Sequence, residues 1–86
     1  MNYYTYLARC SDNSLYTGIT NNLINREQRH NQGNGSRYTR ARLPIKIVYS
    51  EIFNNLKDAA KREIQIKGWT KSKKENLIKG KHPTKN

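Results

Sequence analysis

Carboxylates are scarce in this chain. Six Asp and Glu stand against 17 Lys and Arg in 86 residues, for a formal net charge of +11 and a pI near 10.1. That imbalance favours a polyanionic partner, with nucleic acid ahead of an anionic membrane surface. Cysteine is scarcer still. Cys10 alone excludes an internal disulfide and a cysteine-based zinc site, so the apolar core has to hold the fold. Lying late in a strand-like run, Cys10 reads as a small buried hydrophobe. No stretch approaches the length of a membrane span, and the opening Met-Asn-Tyr-Tyr-Thr-Tyr lacks a basic segment followed by an apolar one. The expectations are no membrane association and a cytoplasmic location. A chain this short buries only a little over half of its unfolded surface, which bounds it to one domain. That domain is expected over residues 1–80, with a flexible basic tail at 81–86.

Tyrosine, by contrast, is plentiful: six of them, half in the first six residues. Residues 2–9 and 15–20 are rich in the aromatic and β-branched types that suit a pleated surface, and Asp12 and Asn13 between them mark a hairpin. Alternation places Leu7, Leu15 and Ile19 on one face and Tyr4, Tyr6, Tyr16 and Gly18 on the other, given a connection of odd length or a bulge. The first face is read as core and the second as a tyrosine surface beside a glycine.

Beyond Asn21 the pattern becomes helical through Leu23, Ile24, Arg26, Glu27 and His30, ending by Gly33. Residues 31–43 read as a polar loop carrying Arg37, Tyr38, Arg40 and Arg42, and residues 45–53 as a half-buried third strand. Asn54 or Asn55 caps a second helix marked by Leu56, Ala59, Ala60, Glu63, Ile64 and Lys67. After Gly68, Thr70 caps a short helix that turns Leu77 and Ile78 inward and its lysines to water. The order β-β-α-β-α-α predicts an α+β domain, a small, mostly antiparallel three-stranded sheet flanked by helices.

Three features point to one place. Arg26 and His30 are four residues apart and share a helix face. Their helix leaves the second strand directly, next to the tyrosine face. Glu63 borders the apolar stripe of its helix, where a carboxylate needs a cation or a metal ion as partner. Taken singly, each has a plain structural explanation: strand aromatics, a surface arginine, a structural histidine, a Glu63–Lys67 pair.

Together, their order and spacing resemble the GIY-YIG nuclease domain. Tyr4-Thr5-Tyr6 corresponds to the first element, with Tyr4 for the family's Gly and Thr5 for its Ile, and Tyr16-Thr17-Gly18 to the second. The resemblance covers roughly residues 2–79 and looks closest to small stand-alone bacterial members. Gly35 to Arg40 and Lys67 to Glu75 resemble the loop and C-terminal helix of those proteins.

This resemblance implies hydrolysis of a nucleic-acid phosphodiester with a divalent metal. Tyr6 and Tyr16 would orient or deprotonate water, His30 would assist proton transfer, and Arg26 would stabilise charge in the transition state. Glu63 would hold one Mg²⁺ or Mn²⁺, and Asn76 is the candidate for the family's asparagine. A guanidinium and a metal suit charge gathering on non-bridging oxygens. A tyrosine needs such neighbours to favour phenolate, since its ordinary pKa is about 10. Gly18 is expected to let a phosphate or the first helix come close.

Nucleic-acid contact is assigned to Gly18, Arg29, Arg37, Tyr38, Arg40, Arg42, Lys71, Lys73 and Lys74, with Tyr38 stacking on an unpaired base. DNA is favoured over RNA. About five phosphate contacts would give log K against log salt a slope of roughly −4 to −5. The competing readings are a non-catalytic nucleic-acid-binding module on the same scaffold and a domain recruited by a protein partner.

Overall fold

A computed structural model describes residues 1–80; the tail expected at 81–86 lies outside the described residues. Strands β1 (Tyr3–Arg9) and β2 (Leu15–Thr20) form the hairpin. Asp12 shapes its turn by accepting from the Ser14 backbone N–H at 3.0 Å and the Ser14 hydroxyl at 2.6 Å, while Asn13 takes a φ of 71°. Asparagine tolerates that left-handed conformation. The connection, residues 10–14, is odd in length, so Arg9 pairs with Leu15 and Tyr6 with Gly18. The two strand faces therefore carry the residues that alternation assigns to them.

Helix α1 follows (Leu23–Asn31), then α2 (Arg37–Arg40), β3 (Lys46–Phe53), α3 (Leu56–Lys67) and α4 (Lys71–Ile78). The short α2 occupies the stretch read as an open loop. Four residues have no room for apolar periodicity, which is why patterning misses it. Each helix opens on a polar cap, Asn22, Ser36, Asn55 or Thr70, whose side chain accepts a backbone N–H three residues on. Such a cap contributes about 1 kcal/mol.

The sheet order is β2-β1-β3, antiparallel throughout, so β1 is central. Leu7 packs with Ile66 of α3 and Leu77 of α4 on one face. On the other, Tyr6, Ala8, Cys10 and Ile45 gather with Leu23 and Ile47. Burial of an aliphatic side chain such as Leu7 contributes about 1.5–3 kcal/mol. This layering corrects the expectation of one core face and one open tyrosine face: helices cover both. Cys10 is a free, buried thiol, as expected.

On α3 the inward stripe is Ala59, Glu63 and Ile66, with Ile66 1% exposed and the Glu63 side chain 17% exposed. Leu56 and Ile64, grouped with that stripe by periodicity, face solvent. Adjacent helical residues diverge by about 100°, so Glu63 and Ile64 cannot both face the sheet.

Two tethers fix the helices that carry functional side chains. Asn31 accepts from the Ile45 backbone N–H at 2.7 Å and donates to the Ile45 carbonyl at 3.0 Å, and Glu27 accepts from the Ile47 N–H at 2.7 Å, docking α1 on β3. Arg9 clamps Glu75 of α4 with two hydrogen bonds of 2.7 and 2.8 Å. Among the described residues no helix is long and apolar enough to cross a membrane.

Candidate active site

The hairpin and α1 meet at a buried hydrogen-bond chain. The Tyr6 hydroxyl lies 2.8 Å from His30 Nε2, and His30 Nδ1 lies 2.8 Å from the Thr39 hydroxyl. Thr39 in turn donates to the Ser36 carbonyl at 3.1 Å. Because its single hydroxyl hydrogen is committed there, Thr39 accepts from Nδ1–H. Nε2 is then the acceptor and Tyr6 the donor. Tyr6 is 2% exposed and His30 1%.

Electrostatics agree with that direction of donation. Burial, then the neighbouring Tyr16 and more weakly Glu63, hold the Tyr6 hydroxyl well above the ordinary phenol range, against the opposing pull of Arg26. Burial and the Arg26 charge hold His30 below its ordinary value. Both groups are neutral at pH 7. Tyr6 is thus a donor to His30: the Arg26 guanidinium does favour its phenolate, but desolvation outweighs that pull.

Tyr16 sits on the same strand face but is only half-buried. Its ring centroid lies 5.5 Å from that of His30, edge to face, and 6.3 Å from that of Tyr6. Arg26, half-buried one turn before His30, forms no ion pair among the described residues, so its guanidinium is available to an external anion. Glu63 enters from α3, with Lys67 Nζ beside it at 3.5 Å. The structure therefore brings Tyr6, Tyr16, Arg26, His30 and Glu63 within electrostatic reach of one another.

Residues 2–76 match the family described as the GIY-YIG catalytic domain. The chain belongs to the GIY-YIG family. It is 49% identical over 77 residues to a UPF0213 protein of Pediococcus pentosaceus, covering 90% of this chain and 81% of that one. It is 50% identical over 78 residues to one of Clostridium perfringens, covering 91% and 84%. Among solved structures it resembles the UPF0213 protein of Bacillus halodurans, with TM-score 0.60 and 36% identity over 98% of this chain and 89% of that one. A protein of E. faecalis is similar at TM-score 0.62 and 33% identity, over 93% and 85%.

In this GIY-YIG chain Gly18 has a different neighbour from the expected one. A Cβ there would lie 2.5 Å from Cζ and Oη of Tyr6, so the glycine makes room for the tyrosine ring and is not an open contact for nucleic acid. Gly35, which sequence reading places in a loop without a site role, does the same for the His30 ring. Ser36 and Thr39, in the same loop, are likewise given no site role. Ser36 three residues before Thr39 is a capping signal, but without an apolar run behind it the signal reads as loop.

The basic residues fall into two groups. Arg29, Arg37 and Arg40 are exposed. Arg42 is committed: it pairs with Asp12 at 3.1 Å, donates to the Tyr38 carbonyl at 2.8 Å, and lies 3.8 Å over the Tyr38 ring. Tyr38 also stacks with Tyr16, ring centroids 6.1 Å apart, and remains exposed. On α4, Lys71 pairs with Glu75 at 3.0 Å and Lys73 sits 4.6 Å from the Trp69 ring centre. Lys74 makes neither kind of contact among the described residues. Asn76 is half-buried on the same helix.

Proposed function

We propose that the protein is a nuclease of the GIY-YIG family that hydrolyses a phosphodiester of DNA with a divalent cation. The observation that supports this reading is the buried Tyr6–His30 hydrogen bond of 2.8 Å with Arg26, which forms no ion pair among the described residues, one helical turn before His30 on α1.

The chain's own residues divide the work. Tyr16 presents the less buried hydroxyl and orients the attacking water. Tyr6, a buried donor, holds His30, and His30 holds the wall against which Tyr16 rests. Arg26 neutralises the phosphate and the charge that grows on its non-bridging oxygens. Among the described residues no group of three or more His, Cys, Asp or Glu could enclose a metal. Glu63 nonetheless fits a magnesium-type ion, which takes one carboxylate and completes its shell with water and substrate phosphate. Bound there, Mg²⁺ or Mn²⁺ would supply Lewis-acid stabilisation of the scissile phosphate.

The test uses labelled single-stranded, duplex, flap and branched DNA, with RNA alongside, in Mg²⁺, Mn²⁺ or EDTA at low salt. Cleavage by the wild type should require the metal and fall by about 10²–10³-fold in Arg26→Ala and Glu63→Gln, with DNA binding retained in Glu63→Gln. Salt-sensitive binding with no cleavage in any protein would overturn the nuclease and leave a basic binding module.

A further inference from the structure

Along the edge of β2 runs a cleft of about 250 Å³ that is not part of the Tyr6–His30 centre. Leu15, Tyr16, Thr17 and Tyr38 form its walls, and Lys67 of α3 and Lys74 of α4 close it from the two helices. We propose that Lys67 and Lys74 form a phosphate subsite that holds the substrate strand at the phosphate flanking the one cleaved.

Charge placed in this cleft is neutralised only in part: Lys67 has a single carboxylate partner, Glu63 at 3.5 Å. The carboxylate of α4, Glu75, is taken by Arg9 and Lys71, which leaves Lys74 with no ion pair among the described residues. Burial and the neighbouring Lys67 both disfavour its protonated form. Two ammonium groups facing one half-buried cleft repel each other, and an anion between them would offset that repulsion beyond what Glu63 does at Lys67. Thr17 adds an independent sign. It is 3% exposed, lines the cleft, and its hydroxyl has no hydrogen-bond partner among the described residues. A buried hydroxyl left this way is destabilising, and an oxygen in the cleft would satisfy it.

Position says which phosphate. Tyr16 belongs to both the cleft and the catalytic centre, and Lys67 follows Glu63 by one helical turn on α3. A strand whose scissile phosphate meets Arg26 and Glu63 would pass its next phosphate between the lysines. Holding the strand at that flanking phosphate is the function this subsite would serve, and its biological meaning rests on the nuclease reading.

The test is a binding measurement in EDTA, where no cleavage occurs. A short oligothymidylate, with 5′-hydroxyl or 5′-phosphate, is titrated into ¹⁵N-labelled wild type, Lys67→Gln/Lys74→Gln, and Lys79→Gln, which removes one charge from outside the cleft. Wild-type amide shifts should centre on Thr17, Lys67 and Lys74. The double variant should bind about tenfold or more weakly, with a salt slope shallower by roughly one to two, while Lys79→Gln changes affinity by less than about twofold. Tighter binding of the 5′-phosphorylated strand would assign the subsite to a terminal phosphate; equal binding would assign it to the backbone. Equal losses in Lys79→Gln and the double variant, or amide shifts confined to Arg37 and Arg40, would overturn the subsite. Because binding is read without metal, a missing nuclease activity and a missing subsite give separate results.

Discussion

The Tyr6 hydroxyl donates to His30 Nε2 across 2.8 Å, with both side chains almost wholly buried. This bond joins the first strand to the first helix and separates the two tyrosines chemically: one is locked as a donor, the other stands at the cleft.

The two hydroxyls should therefore fail differently. Tyr6→Phe leaves a buried ring nitrogen without its donor and is expected to cost about 1–3 kcal/mol in urea unfolding. Tyr16→Phe is expected to stay within about 0.5 kcal/mol of wild type while lowering metal-dependent cleavage by about 100-fold or more. Equal stability losses in the two variants would contradict the division of roles.

Gly18 and Gly35 are tied to the same pair of rings. Gly18→Ala puts a methyl 2.5 Å from the Tyr6 ring carbon Cζ, and the ring must leave its place against His30. A loss of about 1–3 kcal/mol is expected, together with altered Tyr6 and His30 ring resonances by NMR. Gly33→Ala is a contrasting control, because nothing lies within 4 Å of its Cβ and only the φ of 83° opposes it. Undisturbed ring resonances in Gly18→Ala would count against the close approach.

Acid should weaken the fold in two separate windows. His30 has its folded pKa below the ordinary 6.5, so its contribution is whole above pH 6.5 and is lost as pH falls from there toward the lowered value, where the unfolded chain takes the proton more readily. Hydrogen bonds from Arg9 and Lys71 pull Glu75 from 4.5 down to about 2, so its contribution is present above pH 4.5 and lost between there and about pH 2. Urea midpoints should fall between pH 7.5 and 5.5 less steeply in His30→Gln than in wild type, and the steep drop below pH 4.5 should flatten in Glu75→Gln. A wild-type midpoint that rises from pH 7.5 to 5.5 relative to His30→Gln would show that His30 is stabilised as the cation.

Local rules carried much of the fold. The hairpin, three of the four helices and the division of strand faces were legible because they depend on residues near one another in sequence: turn chemistry at Asp12 and Asn13, alternation in the strands, polar caps at Asn55 and Thr70. The site's five residue identities were legible from their order. Tertiary structure decided their states. Whether Tyr6 is a base or a fixed donor depends on how far it is desolvated, and that follows from α1 and α2 closing over β1, a long-range arrangement no local pattern records. Which lysine on α4 remains unpaired depends on Arg9, 66 positions from Glu75 in sequence. Sequence determined the inventory of charges and donors, while packing determined which were buried, which were spent on one another, and which still faced a cleft.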